Sequence, residues 1–234
     1  MSAYGTFTRS TGDYQLGAIL PSTIWCTNVS SSNNTPDRPY ITIHHVTLTN
    51  ALPAPGLISH LASVFGAVVE EGRTYPQEDV ITVDSFEKYF FAEDVFIAVQ
   101  AMGTINSEKD ASVTSLTLDE ARNGREWETC VVGFYYVKPN YPGRSSHVSH
   151  SFAYVVQKSS LTDVHGLPVF GVLYPSHTLH LLWERLGFTK AGRIPQAGRL
   201  KRLDGKGEEY VDAWVIYKSF VEEDDAKAQD QQVN

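Results

Sequence analysis

The apolar positions of the chain predict strands in the first half that alternate with helices. Residues 40–48 (YITIHHVTL) are β-branched and alternating, which predicts a strand. Two prolines at 53 and 55 open a segment that ends at Gly72, a residue typical of a helix C-terminus. Between them, apolar side chains recur at helical spacing, at Leu57, Leu61, Val64, Phe65 and Val68. A shorter helix is predicted over 84–91, with Asp84 as its N-cap.

The rest of the chain is predicted to form mostly strands, with one further helix. Strands are predicted at 94–102, 128–137, 147–156 and 168–174, and the polar stretch 106–124 as a long mobile hairpin insertion. Ser176 can cap a helix whose apolar stripe ends at Gly187. A short strand at 191–194 and a longer one at 209–220 follow. This order predicts an α/β fold, with a mixed sheet flanked by helices.

Composition and charge limit the classes of partner. Residues 1–39 are predicted to be an irregular arm with one short strand near 23–27, residues 40–220 the domain, and residues 221–234 a charged disordered tail. The net charge of −8 argues against nucleic-acid and membrane partners. Two cysteines and an N-terminus without an apolar segment predict a reducing, cytoplasmic location.

Several short segments, which follow one another along the chain, indicate a protein family. They are EEGRTYPQ (70–77), GFYYVKPNYPGRSSH (133–147), LWERLGF (182–188), GRIP (192–195), AGRL (197–200) and VDA (211–213). The chain resembles, over about residues 40–220, the fungal GNAT N-acetyltransferases that act on proline analogues such as azetidine-2-carboxylate. The resemblance implies a mostly antiparallel sheet and transfer of an acetyl group from acetyl-CoA to a small amine or imino acid. A homodimer is a further implication.

The resemblance also implies the residues of the site. A tyrosine can protonate the departing thiolate, and Tyr174 is the candidate for that catalytic role. The implied substrate-binding positions are Tyr75, Tyr136, His150 and Gly171. The implied cofactor-binding positions are Val155, Val156, Gln157, Lys158 and His177.

The chain departs from the family where coenzyme A would bind. Family members follow their fourth core strand with an Arg/Gln-x-x-Gly-x-Gly/Ala loop and a helix, whose N–H groups hold the pyrophosphate. Here the segment 157–167 (QKSSLTDVHGL) has one glycine, near its end, and no helical apolar stripe. A parallel crossover normally takes a dozen or more residues, so the central crossover helix is predicted to be truncated. An incorrect exon boundary in the gene and true divergence are both open explanations.

The substrate side departs as well. The related enzymes carry asparagine at the positions of His150, Gly171 and His177. An amide both donates and accepts hydrogen bonds, whereas glycine has no side chain and histidine has a different geometry. The alternative function is therefore a catalytically inactive GNAT-like binding or interaction module.

The sequence gives little evidence for a metal site. His147 and His150 would face opposite sides of a strand, and no His-x-Glu or Cys-x-x-Cys pattern completes a metal site. The adjacent His44 and His45 predict one buried and one exposed ring. Asp212 is predicted to terminate or orient the last strand.

Overall fold

The structure is a computed structural model that describes residues 19–26, 37–75, 77–92, 94–106, 111–139, 149–155, 172–173, 184 and 187–218. For residues 37, 106, 139, 149–155 and 172–173 it describes the backbone alone. The chain divides into two compact units, residues 1–169 and 170–234.

The first unit contains a six-stranded sheet. Its strands are β1 (Ser22–Cys26), β2 (Asp37–Val46), β3 (Asp94–Asn106), β4 (Ala111–Thr114), β5 (Val131–Pro139) and β6 (Ser149–Val155). They lie in the order β4-β1-β2-β3-β5-β6, and each described pair is antiparallel. The strand predicted near residues 23–27 is confirmed as β1.

Five helices are found among the described residues of the same unit. They are α1 (Leu48–Ala51), α2 (Leu57–Glu71), α3 (Val83–Phe90), α4 (Leu118–Arg122) and α5 (Trp127–Cys130). The predicted long helix is confirmed as α2, which ends at Gly72 with φ of 67°. Only glycine adopts this left-handed conformation without a steric cost. No described helix is long and apolar enough to cross a membrane.

The start of α3 differs from the prediction. Thr82, and not Asp84, is the N-cap, because its side-chain oxygen accepts the N–H of Ser85. Asp84 lies in the first turn and pairs with Lys88 one turn later, at 2.8 Å. Both residues suit an N-terminus, but the cap is the one whose side chain reaches the third helical N–H.

Aromatic rings fill the core between the helices and the sheet. Phe90 of α3 lies 4.8 Å from Phe86, 5.2 Å from Phe134 and 4.9 Å from Tyr136, measured between ring centres. Phe65 of α2 joins the same group at 5.7 Å from Phe90. These five side chains are almost completely buried. The core therefore fixes α2 and α3 on one face of strand β5.

The prediction of a mobile insertion at 106–124 is wrong for the residues that the structure describes. Strand β4 pairs with β1, and α4 begins at a reciprocal cap between Thr117 and Glu120. Thr117 accepts the N–H of Glu120, and the Glu120 carboxylate accepts the N–H of Thr117. The predicted strand at 128–137 likewise begins with a helical turn, α5, before β5.

Both rings of the histidine pair are buried, so the prediction of one exposed ring is wrong. His44 is 2% exposed and His45 is 8% exposed. His44 hydrogen-bonds Ser22 and Thr42 at 2.9 and 2.8 Å, and His45 contacts Asp94 at 3.1 Å. Strand β2 lies between β1 and β3, so side chains on both of its faces find neighbours.

The second unit contains a three-stranded antiparallel sheet in the order β7-β9-β8. Its strands are β7 (Val172–Leu173), β8 (Thr189–Lys201) and β9 (Glu208–Tyr217). The strand predicted at 191–194 is too short, because β8 continues through a register shift between Ile194 and Gly198. The helix predicted from Ser176 lies outside the described residues, apart from Glu184 and the glycine at 187, whose φ of 80° is typical of a helix end.

Candidate active site

Three elements of the first unit bring four side chains together. Tyr75 follows α2, Tyr89 lies in α3, and Tyr136 and Lys138 lie two residues apart in β5. Residues two apart in a strand face the same side, so Tyr136 and Lys138 point together toward α3. We call these four residues the tyrosine–lysine cluster.

The three tyrosine hydroxyls of the cluster meet. The hydroxyls of Tyr75 and Tyr89 are hydrogen-bonded, and those of Tyr89 and Tyr136 lie 3.0 Å apart. Tyr75 and Tyr136 are separated by 3.5 Å. Three hydroxyls in mutual contact can each donate one hydrogen bond and accept one.

The Lys138 side chain lies against the rings of two of these tyrosines. Its Nζ is 3.8 Å from the centre of the Tyr89 ring and 4.4 Å from the centre of the Tyr136 ring. A cation over an aromatic face is attracted by the ring quadrupole. Lys138 is 5% exposed, and lysine is rarely buried to this extent unless its charge is compensated. A buried, polar and charged cluster is a typical feature of a ligand site.

Two phenols of the cluster, Tyr75 and Tyr136, are held in their neutral form. Burial raises the pKa of Tyr75 well above its usual value, and the neighbouring Tyr136 and Tyr89 raise it further. Burial also raises the pKa of Tyr136, and Tyr89 adds to the effect. A neutral phenol keeps both a donor and an acceptor, so the cluster can exchange hydrogen bonds with an uncharged or a charged ligand.

The structure describes only some of the predicted site residues. It brings Tyr75 and Tyr136 together, as a shared pocket requires. Backbone pairing places His150 opposite Lys138 and Val155 opposite Gly133. The other predicted positions lie outside the described residues: Val156, Gln157, Lys158, Gly171, Tyr174 and His177. Their roles, and the truncation of the crossover helix, stay predictions.

Sequence reasoning missed Tyr89 and Lys138. Tyr89 lies in DSFEKYFF, where an aromatic residue is more simply interpreted as core. Lys138 opens the stretch KPNYPGR, which predicts a turn. The available signal was the two-residue spacing from Tyr136, which places the Lys138 side chain on the same face of the strand.

Asp212 lies within β9 and does not terminate it; its carboxylate instead holds the neighbouring strand β8. Its carboxylate accepts the backbone N–H of Gln196 at 2.8 Å and pairs with Arg193. These contacts lower the pKa of Asp212, the Gln196 N–H most strongly. Gln196 has a positive φ of 51° within the register shift of β8, so Asp212 fixes the irregular part of that strand.

The described residues include no group of three histidine, cysteine, aspartate or glutamate side chains that could hold a metal ion.

Two histidines are buried in ways that keep them neutral. Burial lowers the pKa of His44 to about 4. Burial also lowers the pKa of His60, and the nearby Glu128 opposes this shift in part.

The fold is that of a known class of enzymes. A GCN5-related N-acetyltransferase from Kribbella flavida superposes with a TM-score of 0.51 at 16% identity, over 77% of this chain and 98% of its own. This likeness confirms the predicted mixed α/β fold with a mostly antiparallel sheet flanked by helices.

The sequence relatives identify the family. N-acetyltransferase aca1 of Schizosaccharomyces pombe is 30% identical over 195 residues, which cover 76% of this chain and 87% of that protein. Protein SPT10 of Saccharomyces cerevisiae is 24% identical over 209 residues, 70% of this chain and 31% of the longer protein. No protein-family model matches the chain. The chain belongs to the GNAT family of N-acetyltransferases, whose members use acetyl-CoA as co-substrate.

Proposed function

We propose that this protein transfers an acetyl group from acetyl-CoA to the nitrogen of a small amine or imino acid. The observation that carries the proposal is the tyrosine–lysine cluster. Tyr75 and Tyr136, from two separate motifs shared with the family, meet in one buried group of hydroxyls beside Lys138. The identity to N-acetyltransferase aca1 supports the same reaction type.

The reaction needs a neutral nitrogen that attacks the thioester carbonyl. The carbon–nitrogen bond forms as the carbon–sulfur bond breaks, and the coenzyme A thiolate takes up a proton. The cluster would hold the acceptor by hydrogen bonds to the Tyr75 and Tyr136 hydroxyls. Because these phenols remain neutral, they can accept from the nitrogen or donate to an oxygen of the acceptor.

The test is acetyl transfer by the purified chain. Acetyl-CoA is mixed with a panel of small amines and imino acids, including azetidine-2-carboxylate, and the released thiol is measured. Tyr136→Phe is expected to lower kcat/KM about tenfold, which corresponds to one lost hydrogen bond of about 1.4 kcal/mol. Tyr210→Phe is the matched control, because Tyr210 is 67% exposed in β9. Equal activity of Tyr136→Phe and wild type would remove the cluster from the proposed site.

The alternative, a catalytically inactive GNAT-like module, is favoured by two features of the sequence. The segment 157–167 has a single glycine where the family places a glycine-rich phosphate loop. In addition, His150, Gly171 and His177 stand where the related enzymes carry asparagine. A folded chain that neither binds acetyl-CoA nor releases thiol with any acceptor would establish the inactive module. Genomic DNA around the codons for 156–167 distinguishes a skipped exon from true divergence.

We further propose that the protein acts in the cytoplasm and forms a homodimer.

A further inference from the structure

Two adjacent histidines of β2 bind the start of β1 and the residues just before it. Nδ1 of His44 contacts the Ser22 hydroxyl at 2.9 Å. Nδ1 of His45 accepts the backbone N–H of Leu20, also at 2.9 Å. Because neighbouring residues of a strand point to opposite faces, the two rings approach β1 from opposite faces of the sheet. We call these four residues the histidine latch.

The partners of each ring determine which nitrogen carries the hydrogen. A backbone N–H can only donate, so Nδ1 of His45 has no hydrogen, and its Nε2–H donates to the Asp94 carboxylate at 3.1 Å. The Thr42 hydroxyl donates to a carbonyl of β3 at 3.4 Å, so its oxygen accepts from Nε2 of His44 at 2.8 Å. Nδ1 of His44 then accepts the hydrogen of the Ser22 hydroxyl. Both rings therefore hold β1 by an acceptor that exists only in the neutral form.

A proton on Nδ1 removes that acceptor. A protonated imidazole donates from both nitrogens, so the ring of His45 would face the Leu20 N–H as a second donor. A buried donor without an acceptor costs free energy, and separation of the strand relieves this cost. Burial lowers the pKa of His44 from 6.5 to about 4, so the bound strand opposes protonation of this ring. By linkage, protonation of the ring in turn favours the separated strand.

Few charged groups lie around the histidine latch in the part of the chain that the structure describes. Residues 19–26 (ILPSTIWC) contain no charged side chain. Asp94 of β3 faces His45 and can keep its hydrogen bond to Nε2 after the ring is protonated. Among the described residues, burial and not a charged neighbour lowers the pKa of His44. The protonation of the two rings therefore decides whether β1 is held.

We propose that the histidine latch is a pH-sensitive switch, which holds β1 on the sheet while His44 and His45 are neutral and releases it when they are protonated. In the described sheet β4 pairs with β1 at the edge, so release of β1 also removes the strand partner of β4. The strands β2, β3, β5 and β6 keep their pairing. This switch is independent of acetyl transfer.

The first test is amide hydrogen exchange in the full chain at pH 7.5 and pH 5, corrected for the intrinsic effect of pH on exchange. Protection of residues 20–26 should be at least about tenfold lower at pH 5, an effect that one lost hydrogen bond can produce. At pH 5 these amides should exchange faster than those of residues 95–99 in β3, which stay paired. Equal protection of the two segments at pH 5 would mean that the strands open only together, and would overturn the switch.

The double variant His44→Asn/His45→Asn removes the titration. The asparagine oxygen takes the place of Nδ1 and can accept the same hydrogens without binding a proton. Protection of residues 20–26 should then agree within about twofold at the two pH values. The matched control is His60→Asn, because His60 is also buried, at 8% exposed, but lies in α2 beside Glu128. This control should lose protection as wild type does, and a tenfold loss in the double variant would contradict the switch.

A measurement on wild type does not depend on the folding of a variant. Nitrogen-15 shifts of the histidine rings at pH 7.5 report which nitrogen carries the hydrogen. The histidine latch requires a hydrogen on Nε2 and none on Nδ1 in both His44 and His45. A hydrogen on Nδ1 of either ring would overturn the proposal, because that nitrogen could not accept from β1.

Discussion

Tyr75 and Tyr136 lie 61 positions apart in the sequence, and their hydroxyl oxygens lie 3.5 Å apart in the structure. Tyr89 contacts both and completes the group. The residues come from the segment after α2, from α3 and from β5, which are held together by the aromatic core around Phe90. The geometry of the proposed site therefore depends on the packing of that core, and stability and activity are expected to change together when it is altered.

Lys138→Met should lower acetyl transfer more than it lowers stability. The substitution keeps the length of the side chain but removes the cation from the rings of Tyr89 and Tyr136. We expect at least a tenfold fall in kcat/KM, since the phenols lose the charge that orients them, and a change of about 1 kcal/mol in the free energy of unfolding. Thiol release and urea unfolding measure the two effects.

The matched control for this substitution is Lys88→Met. The Lys88 side chain is 74% exposed and pairs with Asp84 within α3. Such a surface pair contributes little to stability. We therefore expect Lys88→Met to keep the kinetics of wild type and to change the free energy of unfolding by no more than about 0.5 kcal/mol. If the two lysine variants behaved alike, the orienting role of Lys138 would be wrong.

Phe90→Ala should destabilise the first unit by about 3–5 kcal/mol, because it leaves a cavity in the aromatic core. Phe90 is fully buried and packs against Phe86, Phe134 and Tyr136. Urea unfolding, followed by near-ultraviolet circular dichroism, measures the change. The control is Leu52→Ala, which removes an apolar side chain that is 61% exposed. Its free energy of unfolding should stay within about 0.5 kcal/mol of wild type. A loss below 1 kcal/mol in Phe90→Ala would contradict the described core.

Stability should fall as the pH falls from about 6.5 to about 4. Burial lowers the pKa of His44 from 6.5 to about 4, so in this window the unfolded chain binds a proton that the folded chain does not. The expected loss from this residue is on the order of 1 kcal/mol per pH unit. His60, whose pKa burial also lowers, acts in the same direction.

His44→Gln isolates this contribution. Glutamine can still donate and accept hydrogen bonds near Ser22 and Thr42, but it does not titrate. Urea midpoints at pH 4.5, 5.5 and 7.5 should therefore decline less steeply in the variant than in wild type. Parallel declines in the two proteins would show that His44 is not kept neutral by the fold.

Asp212→Ala should loosen the irregular part of β8 in the second unit. The Gln196 N–H loses its acceptor, and Arg193 loses its carboxylate partner. Amide hydrogen exchange at Gln196 is expected to become about fivefold to tenfold faster, as one lost hydrogen bond implies. Asp212→Asn keeps an oxygen acceptor for the Gln196 N–H, so this amide should exchange more slowly in Asp212→Asn than in Asp212→Ala. Unchanged exchange in Asp212→Ala would contradict the orienting role.

Local signals in the sequence predicted much of the fold. Helix α2 followed from its apolar stripe and from the glycine at its end, because those signals depend only on neighbouring residues. The N-caps of α3 and α4 were not predicted. Thr82 caps α3, although the sequence favoured Asp84. Thr117 caps α4, in a segment (106–124) whose polar composition predicted a mobile insertion. In each case the deciding feature was which side chain reaches an N–H three residues later.

The site could be predicted only in part. Tyr75 and Tyr136 lie in segments that resemble a family, so sequence alone could nominate them. Tyr89 and Lys138 could not be nominated, because their roles depend on α3 packing against β5, a contact between distant parts of the chain. The burial of both rings of the His44–His45 pair was missed for a similar reason: the neighbours of His45, such as Asp94, come from the adjacent strand.

The measurement that tests the central claim most directly is calorimetric titration of the purified 234-residue chain with acetyl-CoA. An N-acetyltransferase is expected to bind with micromolar affinity, about −8 kcal/mol, and to release thiol when a small amine or imino acid is added. A folded chain that gives no binding heat and releases no thiol would contradict the proposed acetyltransferase function and leave the inactive GNAT-like module.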